Sequence, residues 1–360
     1  MSAPQQLHVY RCPELLIAGA WRRGGGERRQ AIVNPADGQT LDELALASAK
    51  DLQDALRASA EGFEHWRRVP AHQRGERLAR GVARMRERCE HIATLLTLEQ
   101  GKPLAEARAE CLMAADLIQW YAEEARRVYG RVVPARQPDS RMTVLKQPVG
   151  PVAAFSPWNF PLVLSARKLG GALAAGCSIV LKGAEETPAS VAAMVACLAE
   201  ELPPGALQLV YGVPAEVSEA LIASPVIRKL SFTGSVPVGR HLAQLAGRHL
   251  KRITLELGGH APVIVCEDAD LARTVPLMVA HKFRNAGQAC LAPTRFYVAR
   301  RLYVDFIDAF AQASRALVLG PGLAPGTQMG PLANQRRRAA VLDLIERSVQ
   351  RGARRLAGEA

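Results

Sequence analysis

Between residues 152 and 232 short apolar runs alternate with stretches of helical periodicity, and this alternation restricts the fold more than any other feature of the chain. Extended runs at 152–155, 178–181, 206–210 and 229–232 flank helical patterns at 162–175, 189–201 and 216–222. Strands that return parallel to their neighbours need long crossovers, which helices supply, and they are buried on both faces. The segment therefore predicts an α/β fold, a parallel sheet with right-handed crossovers and helices on both faces. That architecture suits nucleotides.

The flanks read differently. Residues 51–129 place apolar side chains at helical spacing, among them Leu52, Leu56, Leu78, Val82, Met85 and Ile92, which predicts a helical layer. Residues 130–148 carry three prolines and the alternating Met142, Thr143, Val144 and Leu145, as expected of an extended arm or hairpin leaving the body. At 360 residues the chain exceeds one ordinary core, so two or more lobes are expected.

Composition removes several function classes. Seven scattered cysteines contain no C-x-x-C pair, which argues against a disulfide framework or metal site and for a reducing, cytoplasmic setting. No run reaches the roughly 18 apolar residues that a membrane span requires. The net charge of +12 could point to nucleic acid, but it comes from 38 arginines and eight lysines spread along the chain. An arginine-biased composition explains it, and neither nucleic acid nor membrane is expected as a partner.

Four local patterns carry groups with chemical potential. Cys290 follows a glycine-containing turn after a helical run; it is either a buried small hydrophobe or a thiol activated by nearby N–H groups and positive charge. Glu256 ends an apolar strand before Gly258 and Gly259. A carboxylate in apolar surroundings becomes a better base, whereas one facing water is ordinary. Asn159, in Pro157-Trp158-Asn159-Phe160-Pro161, could donate to a developing oxyanion or simply shape a turn. No G-x-G-x-x-G is present, but Thr233-Gly234-Ser235 precedes a helix opening at Pro237, and a helix N-terminus suits a pyrophosphate.

Taken in order, P-W-N-F-P, L-K-G-A-E-E-T-P, F-T-G-S, L-E-L-G-G and G-Q-A-C resemble the NAD(P)-dependent aldehyde dehydrogenase superfamily, from about residue 34 to the last residues. The resemblance implies a Rossmann-type cofactor domain at 1–129 and 149–257, an oligomerisation arm at 130–148, and a catalytic domain at 258–360. It makes Cys290 the nucleophile and Glu256, 34 residues before it, the base for thioester hydrolysis; Asn159 and the Cys290 N–H form the oxyanion hole. Lys182 and Glu185 would bind the adenosine ribose, Gly234 and Ser235 the pyrophosphate, and Trp158 would line the cofactor cleft. A carboxylate at 185 would repel a 2′-phosphate, so NAD is expected over NADP.

Arg167 and Arg284 resemble the pair that grips the distal carboxylate in succinate-semialdehyde dehydrogenases, as paired guanidinium hydrogen bonds allow. A dicarboxylic semialdehyde is the expected substrate, with a general aliphatic or aromatic aldehyde as the alternative. The neighbouring Lys168 and Lys282 read as surface charges.

Family members run longer, and this chain stops at Ala360 without the E-x-F-G-P motif, the later substrate loop or the strand that joins the oligomerisation sheet. The expectation is a catalytic domain that is incomplete and an arm lacking its intrachain partner. A homodimer or tetramer is expected if that segment is present; a non-catalytic, NAD-binding remnant is the competing reading.

Overall fold

The structure, a computed structural model, describes residues 10–358. Two hairpins come first, β1 (Leu15–Ile17) with β2 (Ala20–Arg22) and β3 (Arg29–Val33) with β4 (Thr40–Ala45). Four helices follow: α1 (Ala49–Trp66), α2 (Ala71–Glu87), α3 (Cys89–Gln100) and α4 (Leu104–Glu124). The arm is the antiparallel pair β5 (Arg131–Val133) and β6 (Met142–Val144).

The expected alternation then appears as β7 (Val152–Phe155), α5 (Pro161–Ala174), β8 (Ile179–Lys182), α6 (Pro188–Ala199) and β9 (Leu207–Val210). It continues through α7 (Pro214–Ala223), β10 (Lys229–Gly234), α8 (Val236–Arg248) and β11 (Arg252–Leu257). Beyond lie β12 (Ala261–Val265), α9 (Leu271–Phe283), β13 (Pro293–Val298), α10 (Tyr303–Arg315) and α11 (Gln335–Gln350).

The main sheet has the order β11-β10-β7-β8-β9-β1-β2. Its first five strands are parallel, and all residues of β7, β8 and β9 are buried, which is why they read as unbroken apolar runs. The sheet is mixed rather than wholly parallel, because β1 adds to β9 antiparallel. A hairpin needs no crossover; Ala18 and Gly19, at φ 55° and 81°, make the two-residue turn.

Two hydrophobic clusters are separate. The large one joins the sheet to the helical layer, with Trp66 fully buried and its indole N–H donating to Leu173 O at 2.9 Å. The small one, around Val265, Val275, Val279 and Phe306, packs β12 and β13 against α9 and α10 with Phe296 and Phe310 close by. Its boundary falls after β11.

α1 reaches the sheet through a backbone contact. A Cβ on Gly62 would lie 2.0 Å from the carbonyl carbon of Gly205. Gly62→Ala should lower the thermal unfolding midpoint: overpacking costs about 1–3 kcal/mol and outweighs the roughly 1 kcal/mol gained by removing a helix glycine. A raised midpoint would show that α1 shifts freely.

Candidate active site

Strand order places the chemistry. β8 and β9 lie to one side of β7 and β10 and β11 to the other, so the loops leaving β7 and β10 diverge and open a crevice. Asn159 follows β7, Lys182 ends β8 and Glu185 follows it, Gly234 ends β10 and Ser235 follows it, and Glu256 nearly ends β11. All stand at the carboxyl end of the parallel strands.

A cavity of about 430 Å³ opens there, lined by Cys290, Glu256, Arg167 and Arg284 together with Lys168 and Phe160. A larger one, about 980 Å³ between the β3–β4 hairpin and α11, contains neither the thiol nor Glu256. Cys290 is half-buried in the turn before β13. Burial, the charge of Glu256 and a hydrogen bond to it hold the thiol above its ordinary pKa, against the backbone N–H groups of Cys290 and Leu291. The resting sulfur is therefore a thiol beside a carboxylate.

Of the two settings the sequence left open for Glu256, apolar surroundings and a strand end facing water, the fold gives the second. β11 is an edge strand whose Ile253, Leu255 and Leu257 face the core, which leaves Arg252, Thr254 and Glu256 on its open side. Exposure lets the carboxylate reach water as well as sulfur.

Asn159 lies beside the cavity. Its amide nitrogen donates to Gln288 O at 2.9 Å, which leaves a second N–H for another acceptor next to the Cys290 loop. That loop is strained: Asn285, Ala286 and Gly287 have φ of 52°, 53° and 73°. Asn285 holds it, donating from Nδ2 to Asn159 O at 2.8 Å and accepting at Oδ1 from Gln100 at 2.8 Å. Trp158 is half-buried on the same turn.

Both arginines stay accessible, and neither forms an ion pair among the described residues. Arg284 stacks over Phe160 at 5.3 Å from the ring centre. The reading of Lys168 as a surface charge is wrong: it is 8% exposed and donates to Thr233 Oγ1 at 2.6 Å. Burial pushes its ammonium down to about 8, while Glu256 opposes that shift. Periodicity alone could not tell which flank of Arg167 turns inward. Lys282 is also half-buried, and burial lowers its pKa.

The residues expected to meet a dinucleotide stand at the carboxyl ends of β8 and β10. Lys182 and Glu185 form a buried pair at 2.6 Å, and the second oxygen of Glu185 accepts from Gly212 N at 3.0 Å, so this carboxylate is engaged rather than free. α8 begins at exposed residues with no side-chain cap on its first N–H groups, and Pro237 donates none. A Cβ on Gly239 would lie 2.5 Å from the Leu257 side chain, so glycine brings this helix end close to β11. Free donors with a positive dipole end fit a pyrophosphate.

The model of the aldehyde dehydrogenase family matches residues 21–360. This chain belongs to the aldehyde dehydrogenase family. It is 75% identical over 349 residues to the 4-(hydroxymethyl)benzenesulfonate dehydrogenase TsaD1 of Comamonas testosteroni, covering 97% of this chain and 73% of that protein. It is 40% identical over 346 residues to the NADP(+) succinate-semialdehyde dehydrogenase GabD of Escherichia coli, covering 96% and 72%. The NAD-dependent aldehyde dehydrogenase of Sinorhizobium meliloti matches it with a TM-score of 0.96 at 29% identity, over 99% of this chain and 72% of that one. The family sets the activity class, NAD(P)-dependent oxidation of an aldehyde, and these relatives differ in which dinucleotide they are named for.

Because the Glu256 charge raises the thiol pKa, Glu256→Gln should speed alkylation of Cys290 by iodoacetamide in cofactor-free protein at pH 8, read by peptide mass spectrometry. An unchanged or slower rate would separate the two groups. Cys290→Ala should abolish aldehyde turnover while NAD affinity, measured by calorimetry, stays within about threefold, under 1 kcal/mol.

Proposed function

We propose that the enzyme oxidises an aldehyde whose far end is anionic, with 4-formylbenzenesulfonate foremost and NAD as hydride acceptor. The observation that carries this is the placement of two unpaired guanidiniums, Arg167 and Arg284, in the cavity that holds Cys290 and Glu256. Met113, Tyr121, Phe160 and Leu164 wall the same space and suit a flat ring. The 75% identical relative is named for the sulfonated hydroxymethyl compound. A thiolate needs an electrophilic carbonyl carbon, so the aldehyde form is what this site would take. Succinate semialdehyde is the second reading, supported by the same arginines and by the 40% identical relative.

In this reading Glu256 takes the Cys290 proton and the thiolate adds to the carbonyl carbon, forming a C–S bond. The oxyanion accepts from the free N–H of Asn159 and from the Cys290 backbone N–H. Lys182, Glu185, Trp158 and the Gly234-Ser235 turn would hold NAD, which when bound would supply the hydride acceptor. As the oxyanion collapses, hydride leaves carbon and a thioester remains. Glu256 first passes the Cys290 proton to solvent; it then takes a proton from water, the water oxygen adds to the acyl carbon, and the C–S bond breaks to free the acid as Glu256 returns that proton to the sulfur.

The exposed arm, with Val132 and Leu145 each 71% accessible, supports a homo-oligomeric assembly, and seven free thiols suit a cytoplasmic setting.

NADH formation should be followed with 4-formylbenzenesulfonate, succinate semialdehyde and benzaldehyde. Arg284→Ala should raise KM for the sulfonate at least about tenfold, a loss of about 1.4 kcal/mol, and leave benzaldehyde within about twofold. Equal effects on both would remove the anion clamp; no turnover with any of the three by folded wild-type protein would leave cofactor binding as its remaining activity.

A further inference from the structure

Behind the Asn159 turn lies a group of charges that the reaction above does not use. Lys102 and Glu110 form an ion pair with both side chains wholly shielded from solvent. The Lys102 ammonium also donates to Asn159 O at 2.9 Å and sits 4.2 Å from the centre of the Phe160 ring. With its other oxygen Glu110 accepts from Leu162 N at 2.9 Å, in the first turn of α5, where no side chain of the preceding residue caps the helix. One pair thus ties α4 and the loop before it to both sides of the Asn159 turn.

The same carbonyl links this group to the nucleophile loop. Asn159 O receives Lys102 on one lone pair and Asn285 Nδ2, at 2.8 Å, on the other. Asn285 is fixed in turn by Gln100 through its side chain and by Glu106, which accepts from its backbone N–H at 2.9 Å. Desolvating two opposite charges is costly, and apolar residues of similar volume often hold a fold as well. Stability alone therefore does not account for the pair, whereas its contacts fall on the Asn159 turn, whose carbonyl Asn285 of the nucleophile loop also bonds.

We propose that Lys102 and Glu110 are a positioning pair that sets the Asn159 turn against the Cys290 loop, so that the Asn159 amide meets the oxyanion formed on the substrate carbon. This rests on the reading of Asn159 as an oxyanion donor. Neither residue touches substrate or cofactor in this scheme; both act through Asn159.

The test compares two reactions of Cys290 in the full chain. Acylation by p-nitrophenyl acetate passes through an oxyanion, whereas alkylation by iodoacetamide does not. In Lys102→Met/Glu110→Gln, which keeps an acceptor for Leu162 N–H without buried charge, acylation should fall at least about tenfold while alkylation stays within about twofold. Acylation within twofold of wild type, or both rates falling together, overturns the proposal. If the double variant does not fold, Glu110→Gln alone is measured, and the same two outcomes decide. Asn159→Ala serves as reference: if it leaves acylation unchanged, the oxyanion reading itself fails; if it slows acylation and the pair variant does not, only the positioning role fails.

Discussion

The site depends on one topological constraint, the divergence of the chain at β7. Right-handed crossovers carry it from β7 through β8 to β9, and the later β10 returns to the opposite side of β7. Loops that would otherwise pack together are thereby pulled apart, and the crevice between them requires no cavity in the packed core. Parallel strands point every carboxyl end toward that crevice, so residues far apart in sequence such as Asn159, Glu185 and Glu256 arrive on one edge. The thiol comes from the loop between α9 and β13, two elements of the other hydrophobic cluster.

This arrangement divides labour between rigid and strained backbone. At the carboxyl ends of β8 and β10 stand a tight Lys182–Glu185 pair and a helix start brought close by Gly239. The thiol side is a loop with three consecutive left-handed residues, kept in place by Asn285 and Gln288 side chains that bond to backbone across it. Strain of this kind persists only where surrounding contacts over-determine it.

How much of this was legible in the sequence depended on the range of the interaction. β7 to β9 were readable because burial on both faces leaves mainly apolar runs, β10 and β11 because short apolar runs follow the helical stretches, and the arm because its prolines and alternation break the helical pattern. The antiparallel β1–β2 edge was not, since Ala18-Gly19 lacks a strong turn signature and its pairing with β9 spans most of the cofactor domain. Ordered motifs located Cys290, Glu256, Arg167 and Arg284, which the fold gathers into one cavity. Lys168 was misjudged because Arg167 and Lys168 are neighbours in sequence but differ in burial on α5. Lys102 and Glu110 gave no signal, because their meaning lies in contacts to Asn159 and Leu162 that only the folded chain creates.

The protonated state of Cys290 has a consequence for the working life of the molecule. Oxidation to sulfenic and higher acids proceeds through the thiolate, so a sulfur held above its ordinary pKa by Glu256 and burial is a slow target for peroxide. The exposed Cys266, with no role in the cavity, can be oxidised without loss of the nucleophile. In the proposed scheme the carboxylate that takes the Cys290 proton is also the group that favours the protonated resting sulfur.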